Sequence, residues 1–198
     1  MATNIDRFSS IATDPLRNFK FYVVFSISQG GTAQADLTTV MGGFTSITGL
    51  AINTQSIPYR EGGYNTTIHQ IPGMTTFSPV TLQRGTLVGN KQGLKWMRRL
   101  FAAATGEGVS IASGADFRCN VDIYVIDHPA NISDTDDLVT YAKMHFRIMN
   151  AWITTLQYSD LNAGDQNILF EQMTLVHEGL SVGFMAGGAD LSKSEGGI

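Results

Sequence analysis

Side chains able to do chemistry are few in this chain, and their spacing joins none of them into a reactive site. The four histidines, His69, His128, His145 and His177, fall on separate predicted elements. None has a second ligand two or four residues away, the spacing by which one helix or strand presents two ligands to zinc. His145 and His177 belong to strands able to sit side by side, where paired histidines more often hydrogen-bond or meet solvent than bind metal. The run Asp134-Thr135-Asp136-Asp137 begins like a calcium loop, but Val139 and His145 stand where the loop needs its glycine and final glutamate. Cys119 is the only cysteine, so neither an intrachain disulfide nor a cysteine-rich zinc site can form. It alternates with apolar residues, which is the pattern of packing and not of a nucleophile. Gly106 and Gly108 do not join a strand to a helix, so they make no phosphate cradle. Carboxylates are sparse in the apolar segments, so no acid–base pair tuned by burial is expected. The expectation is a chain with no catalytic residue, no metal and no cofactor.

Composition sets the frame for these absences. The chain has 198 residues, 43% of them hydrophobic and 15% charged. That length suits one compact domain with a substantial core. The charged share is well below the roughly 25% of an ordinary domain. So low a charge suits a surface partly covered by other subunits, and equally a Gly- and Thr-rich β protein with neutral loops. A net charge of −4 opposes a protein that grips phosphates with clustered Lys and Arg. The first residues lack the charged-then-apolar layout of a signal peptide. No apolar run approaches the roughly 20 residues of a membrane span. Synthesis in a cytosol is expected.

The elements are mostly strands. Phe19, Phe21, Val23 and Phe25 alternate along the first, after the turn pair Asp14-Pro15 and before Gly30-Gly31. Residues 44–53 and 64–71 predict two more, joined by a ten-residue loop over 54–63 that holds Pro58 and Gly62-Gly63. A loop of that length in a compact domain is commonly functional. Val80 to Gln83 predicts a short strand. A helix is predicted over 90–104, capped by Asn90, with Leu94, Met97 and Phe101 as its buried stripe. Lys91, Lys95, Arg98 and Arg99 take another face. A flexible loop is expected over 106–115. Alternation then returns from Phe117 to Val125 and from Tyr141 to Ile148. Further strands are expected from Ala151 to Tyr158 and from Ile168 to Glu178. Residues 1–13 form an arm, and 187–198 a small polar tail expected to be mobile. With no repeat and no linker, the pattern predicts a single mainly β domain, a β-sandwich or open β-barrel with one flanking helix.

Several short strings add to this. They are Asp14-Pro15-Leu16-Arg17-Asn18-Phe19, Thr48-Gly49-Leu50, Tyr59-Arg60-Glu61-Gly62-Gly63, Ile71-Pro72-Gly73 and Leu82-Gln83-Arg84-Gly85. Trp96, Asn150-Ala151-Trp152, Ser159-Asp160-Leu161 and the stretch from Glu171 to Leu180 follow in order. Over roughly residues 14–180 the set resembles the tail tube proteins of contractile-tailed, T4-like phages and the inner-tube proteins of extracellular contractile injection systems. The 187–198 tail departs from the family's shorter members.

The resemblance implies a subunit that closes into homo-hexameric rings, which stack into a hollow tube inside a contractile sheath. The implied partners are the sheath protein, baseplate proteins and tube-terminating proteins. DNA in a phage, or effector protein in an injection system, passes through the lumen without specific binding. Assembly is expected in the bacterial cytoplasm, within a particle that acts outside the cell. In such a tube the 54–63 loop suits ring-to-ring contact, with Tyr59 as anchor, Arg60 and Glu61 as directional charges and Gly62 and Gly63 as the turn. An ordinary surface loop is the competing account. Lys91, Lys95, Arg98 and Arg99 are candidates to face the sheath, although a solvated helix face has the same pattern. The alternative function is a β-sandwich module that binds carbohydrate or protein.

Overall fold

A computed structural model describes residues 16, 18–27, 43–63, 67–105, 117–126, 141–164, 166–186 and 189–190. The arm over 1–13, the 106–115 loop, His128, the acidic run 134–137 and most of the 187–198 tail lie outside them. In chain order the elements are β1 (Phe21–Ile27), β2 (Ser46–Thr48), β3 (Ile52–Tyr59), β4 (His69–Phe77), β5 (Val80–Gly85), helix α1 (Gln92–Thr105), β6 (Cys119–Ile126), β7 (Ala142–Tyr158), β8 (Phe170–Val176), β9 (Gly179–Ala186) and β10 (Ala189–Asp190). The fold is mainly β with one helix among the described residues. One sheet runs in the order β1-β6-β7-β8-β5-β2, with β9 paired to β7 and β10 to β9. β3 and β4 form a separate two-stranded sheet.

By packing the chain has two compact units, Met1–Tyr22 with Tyr124–His145 and Gly183–Ile198, and Val23–Ile123 with Phe146–Val182. In the first unit, Tyr124 stacks on Tyr22 at 4.9 Å and on His145 at 4.6 Å. The second unit holds most of the core. Its strands alternate as their sequences require: Val80, Leu82 and Arg84 of β5, and Glu171, Met173 and Leu175 of β8, point inward. Two segments expected as separate strands are one element, β7. Its alternation shifts at Asn150 (φ 52°), which lets Ile148 and Ala151 both face the core. Asn tolerates that left-handed conformation better than most residues. Its side chain also donates to Glu178 Oε2 at 2.7 Å.

Three differences from the expected elements have plain causes. Residues 54–59 are strand and not loop, because Pro58 lies in a two-stranded sheet with an open edge, where a missing N–H breaks no ladder. Phe19 precedes its strand and is exposed, leaving Val23 and Phe25 as the buried pair of β1. The helix forms where expected, with the Gln92 N–H donating to the Asn90 cap at 3.2 Å. It buries Gly93 and Trp96, however, while Leu94 and Phe101 remain 41% and 61% exposed. Trp96 donates to the Phe117 carbonyl at 2.7 Å and meets Phe25 edge-on at 5.8 Å.

Gly93 sets that rotation. A Cβ there would lie 2.8 Å from Glu171 Oε1 and 3.3 Å from Leu156 Cδ1, so only glycine lets the helix settle over this carboxylate. Glu171 is buried and pairs with Arg84, whose Nε and Nη2 each lie 2.6 Å from Oε2. The Tyr158 hydroxyl donates to Oε1 at 3.3 Å. Arg84, Glu171 and Tyr158 stand directly opposite one another on β5, β8 and β7. Burial first, and then the charge of Glu171 and its hydrogen bond, push the Tyr158 hydroxyl above its ordinary pKa, while Arg84 pulls the other way.

Two expectations follow. Helix propensity alone favours Gly93→Ala by about 1 kcal/mol, yet crowding against a pinned carboxylate makes the variant less stable by about 1–2 kcal/mol in urea unfolding. A raised folded-state pKa means the folded protein holds the tyrosine proton more tightly than the unfolded chain does. That contribution is complete below the unfolded value of about 10 and is lost as pH rises through the folded one. Tyr158→Phe therefore loses less stability than the parent between about pH 9 and pH 11, as thermal melts read at both values.

Candidate assembly surface

The hairpin of β3 and β4 is exposed along nearly its whole length. Every residue of β3 is exposed, and on β4 only Gly73 and Phe77 are half-buried. Ile57 pairs with Ile71 and Tyr59 with His69. Alternation puts these four on one face, with Ile57, Ile71 and Tyr59 each about half exposed, at 50%, 48% and 50%. The register shifts between Thr54 and Ser56, and Gly73 leaves room beneath Ile57. A Cβ at Gly73 would come within 3.1 Å of the Ile57 side chain. Neither strand carries Lys, Arg, Asp or Glu. Charge appears only past the end of β3, where Arg60 and Glu61 are exposed ahead of the Gly62-Gly63 turn. Gly63 takes φ 100°, a conformation side chains resist. The five residues singled out from the sequence thus sit together at or beside the hairpin tip. Ile57 and Met74 escape the sequence reading, which takes 54–63 as a loop and ends the next strand at Ile71.

The root of the hairpin is fastened, unlike its arm. Asn53 Nδ2 donates to Ser78 Oγ at 2.8 Å, and the Ser78 N–H to the Ala51 carbonyl at 3.1 Å. Buried His177 places Nε2 3.1 Å from the Ser78 carbonyl and Nδ1 3.1 Å from that of Gly179. The Phe77 ring lies 5.5 Å from the imidazole. His177 is therefore a clamp on the hairpin root. His145 belongs to the other unit, and no group of three His, Cys, Asp or Glu among the described residues is placed to hold a metal. Gly179-Leu180-Ser181-Val182-Gly183 has the spacing of a nucleophile elbow, but it lies within β9 and not on a strand-to-helix turn.

Two further surfaces flank this unit. On α1, Lys91, Lys95 and Arg98 are exposed beside Leu94 and Phe101, and Arg99 is half-buried. Opposite the core, the sheet shows uncharged polar rows. Ser46, Gln83, Gln172 and Gln157 stand in register across β2, β5, β8 and β7, and so do Thr48, Thr81, Thr174 and Thr155. Thr81 and Thr174 approach hydroxyl to hydroxyl at 3.4 Å. On the same side, Asp122 of β6 lies 3.4 Å from the Ser26 hydroxyl and 3.7 Å from Arg147 of β7. Just outside the strands, Arg118 pairs with Glu178 at 3.4 Å.

The model of the family described as T4-like virus tail tube protein gp19 matches residues 17–181. The chain belongs to that family. No match is found among curated proteins. Among solved structures, the tail tube chain resembles one from the sheath–tube complex of an extracellular contractile injection system (PVC) in its extended state. TM-score there is 0.63 at 17% identity, covering 93% of this chain and 100% of that one. It also resembles a chain of the anti-feeding prophage baseplate (TM-score 0.64, 17% identity, 89% and 99% covered) and one of that particle's tube-terminating cap (0.62, 20%, 88% and 94%). At these identities the likeness is one of fold.

The clamp has a measurable consequence. Replacing His177 with Leu removes the imidazole N–H that one of the Ser78 and Gly179 carbonyls accepts and should cost about 1–3 kcal/mol. Amide exchange should quicken first at the root, at the Ser78 N–H.

Proposed function

We propose that this tail tube protein closes head to tail into hexameric rings and that the rings stack through the β3–β4 hairpin, giving the inner tube of a contractile tail or contractile injection system. The observation that carries the reading is the hairpin itself. An isolated two-stranded hairpin is marginal in water, and this one holds out an apolar face and uncovered edges. A second copy seated on it supplies the missing cover, with Tyr59, Ile57 and Ile71 as anchors and Arg60 and Glu61 setting direction. β1 and β2 end the sheet order. Pairing one subunit's end strand with its neighbour's leaves no free edge once the ring closes.

The outer surface in this reading is α1, where Lys91, Lys95 and Arg98 surround Leu94 and Phe101 and meet a contractile sheath protein. The similar chains from a sheath–tube complex, a baseplate and a tube-terminating cap support sheath, baseplate and terminator as partners. The Gln and Thr rows, on the sheet face away from the core, then line the bore. The role is structural and not catalytic: assembly in the bacterial cytoplasm, and action as part of a particle outside the cell.

Electron microscopy of the purified protein tests the proposal and should show tubes of uniform bore. A strictly monomeric species at high concentration, with sheath and baseplate proteins present, would overturn it. Tyr59→Ala with Arg60→Ala should shorten tubes sharply while single rings persist, since losing an anchor costs about 1–2 kcal/mol at each of several equivalent contacts. Ile57→Asp should abolish stacking and leave the subunit's melting temperature nearly unchanged, because its side chain is half exposed. Tubes of normal length from both variants would sink the hairpin assignment.

A further inference from the structure

We infer that the hairpin tip of one ring seats on the opposite end of the sheet in the next ring. The receiver is an apolar rim of Leu87, Val88, Leu161 and Ile168, with Asp160 beside it. This rests on the proposal that rings stack through the hairpin. The hairpin leaves the sheet at one end of its strands, where β4 runs through Ser78 into β5 and Val80 stands opposite Leu175. At the far end of the same strands Gly85 faces Phe170 and Tyr158 faces Glu171. There the Thr86 N–H donates to the Leu169 carbonyl and the Ser159 N–H to the Phe170 carbonyl, each at 2.9 Å, which draws the ends of three strands together. Leu87 and Val88 follow β5, Leu161 follows β7 and Ile168 precedes β8. All four are exposed, Leu161 and Ile168 at 87% and 70%. A cleft of about 360 Å³ opens among Asp160, Leu161, Asn167 and Ile168.

Stacking without limit needs two different surfaces. A hairpin that met another hairpin across a two-fold axis would be saturated within one pair of rings, whereas contact between opposite ends repeats as a filament. The rim has the chemistry to complement the tip. Its four apolar side chains lack cover in a lone subunit, and Tyr59 and Ile57 of the neighbour supply it. Asp160 is exposed beside the cleft and has the sign to meet Arg60, which is exposed at the tip. Asn167 offers an amide to the Tyr59 hydroxyl. Among the described residues the next exposed charges are Glu61 at the tip and Lys91 just ahead of α1, again of opposite sign. Asp165, in the same loop as Asp160, lies outside the described residues.

Charge reversal in the full chain tests this, with tube length read by electron microscopy. At about 0.05 M salt exposed charges are only weakly screened. Arg60→Asp and Asp160→Arg should then each shorten tubes at least about tenfold, because like charges face each other at every ring junction. Combining the two should restore length to within about twofold of the parent, as a direct pair in a double-mutant cycle requires. Leu161→Asp should shorten tubes while single rings persist. Asp160 and Leu161 are both exposed, so the subunit's melting temperature should stay nearly unchanged in these variants. Tubes of normal length from Asp160→Arg and Leu161→Asp, beside short ones from the hairpin variants, would overturn the rim as receiver and leave hairpin stacking standing. A double variant as short as either single one would also count against it. Loss of rings along with tubes would place the rim in ring closure and sink the inference. A parent chain that forms no tubes would remove the stacking proposal and this one with it.

Discussion

The arrangement of the larger unit depends on one buried ion pair. Arg84 and Glu171 face each other across β5 and β8, and Tyr158 extends the contact to β7. Desolvating two charges is expensive, so such a pair adds little net stability, while losing one partner costs about 3–5 kcal/mol. Its stronger effect is on register. Slipping β8 by one residue against β5 would put Gln172 into the core and turn Glu171 outward, with every other side chain of the strand. The interaction that holds Met173 and Leu175 inside therefore also keeps Gln172 and Thr174 outside, in line with Gln83 and Thr81. Core and polar rows are two faces of one register.

The helix answers to the same pair. Gly93 brings the first turn of α1 against the Glu171 carboxylate, where the amide-rich N-terminal end of a helix favours negative charge. That placement selects the face carrying Trp96 for burial and turns Leu94 and Phe101 outward among Lys91, Lys95 and Arg98. An apolar stripe that a lone subunit would bury is thus left on its surface. The hairpin makes a parallel case, since its root is clamped by His177 while its arm presents Ile57, Tyr59 and Ile71 to solvent. Both features are uneconomical in a monomer and reasonable in a subunit that gains its remaining contacts from copies and partners.

Much of this was legible without coordinates. Alternation located the strands now seen as β5, β6, β7 and β8, and Asn90 with the apolar spacing after it located the helix. The ordered strings from Asp14 to Leu180 pointed to the tail tube family that the family match over residues 17–181 shows. The hairpin was only half visible. Its turn was marked by Gly62-Gly63, but Pro58 disguised β3 as loop, since proline argues against a strand unless an edge is open.

The sequence by itself determined the class of structure and the family, because strand and helix periods are local and the strings keep their order along the chain. It also placed Thr81, Gln83, Gln172 and Thr174 at alternate positions of β5 and β8, which gives these two strands an uncharged polar side. Only the tertiary structure decided which face of the helix is buried, that the hairpin stands clear of the core, and that the inward charges of β5 and β8 are partners. The reason is distance along the chain. Arg84 and Glu171 are 87 residues apart, Ser78 and His177 are 99 apart, and no local period records a contact of that span.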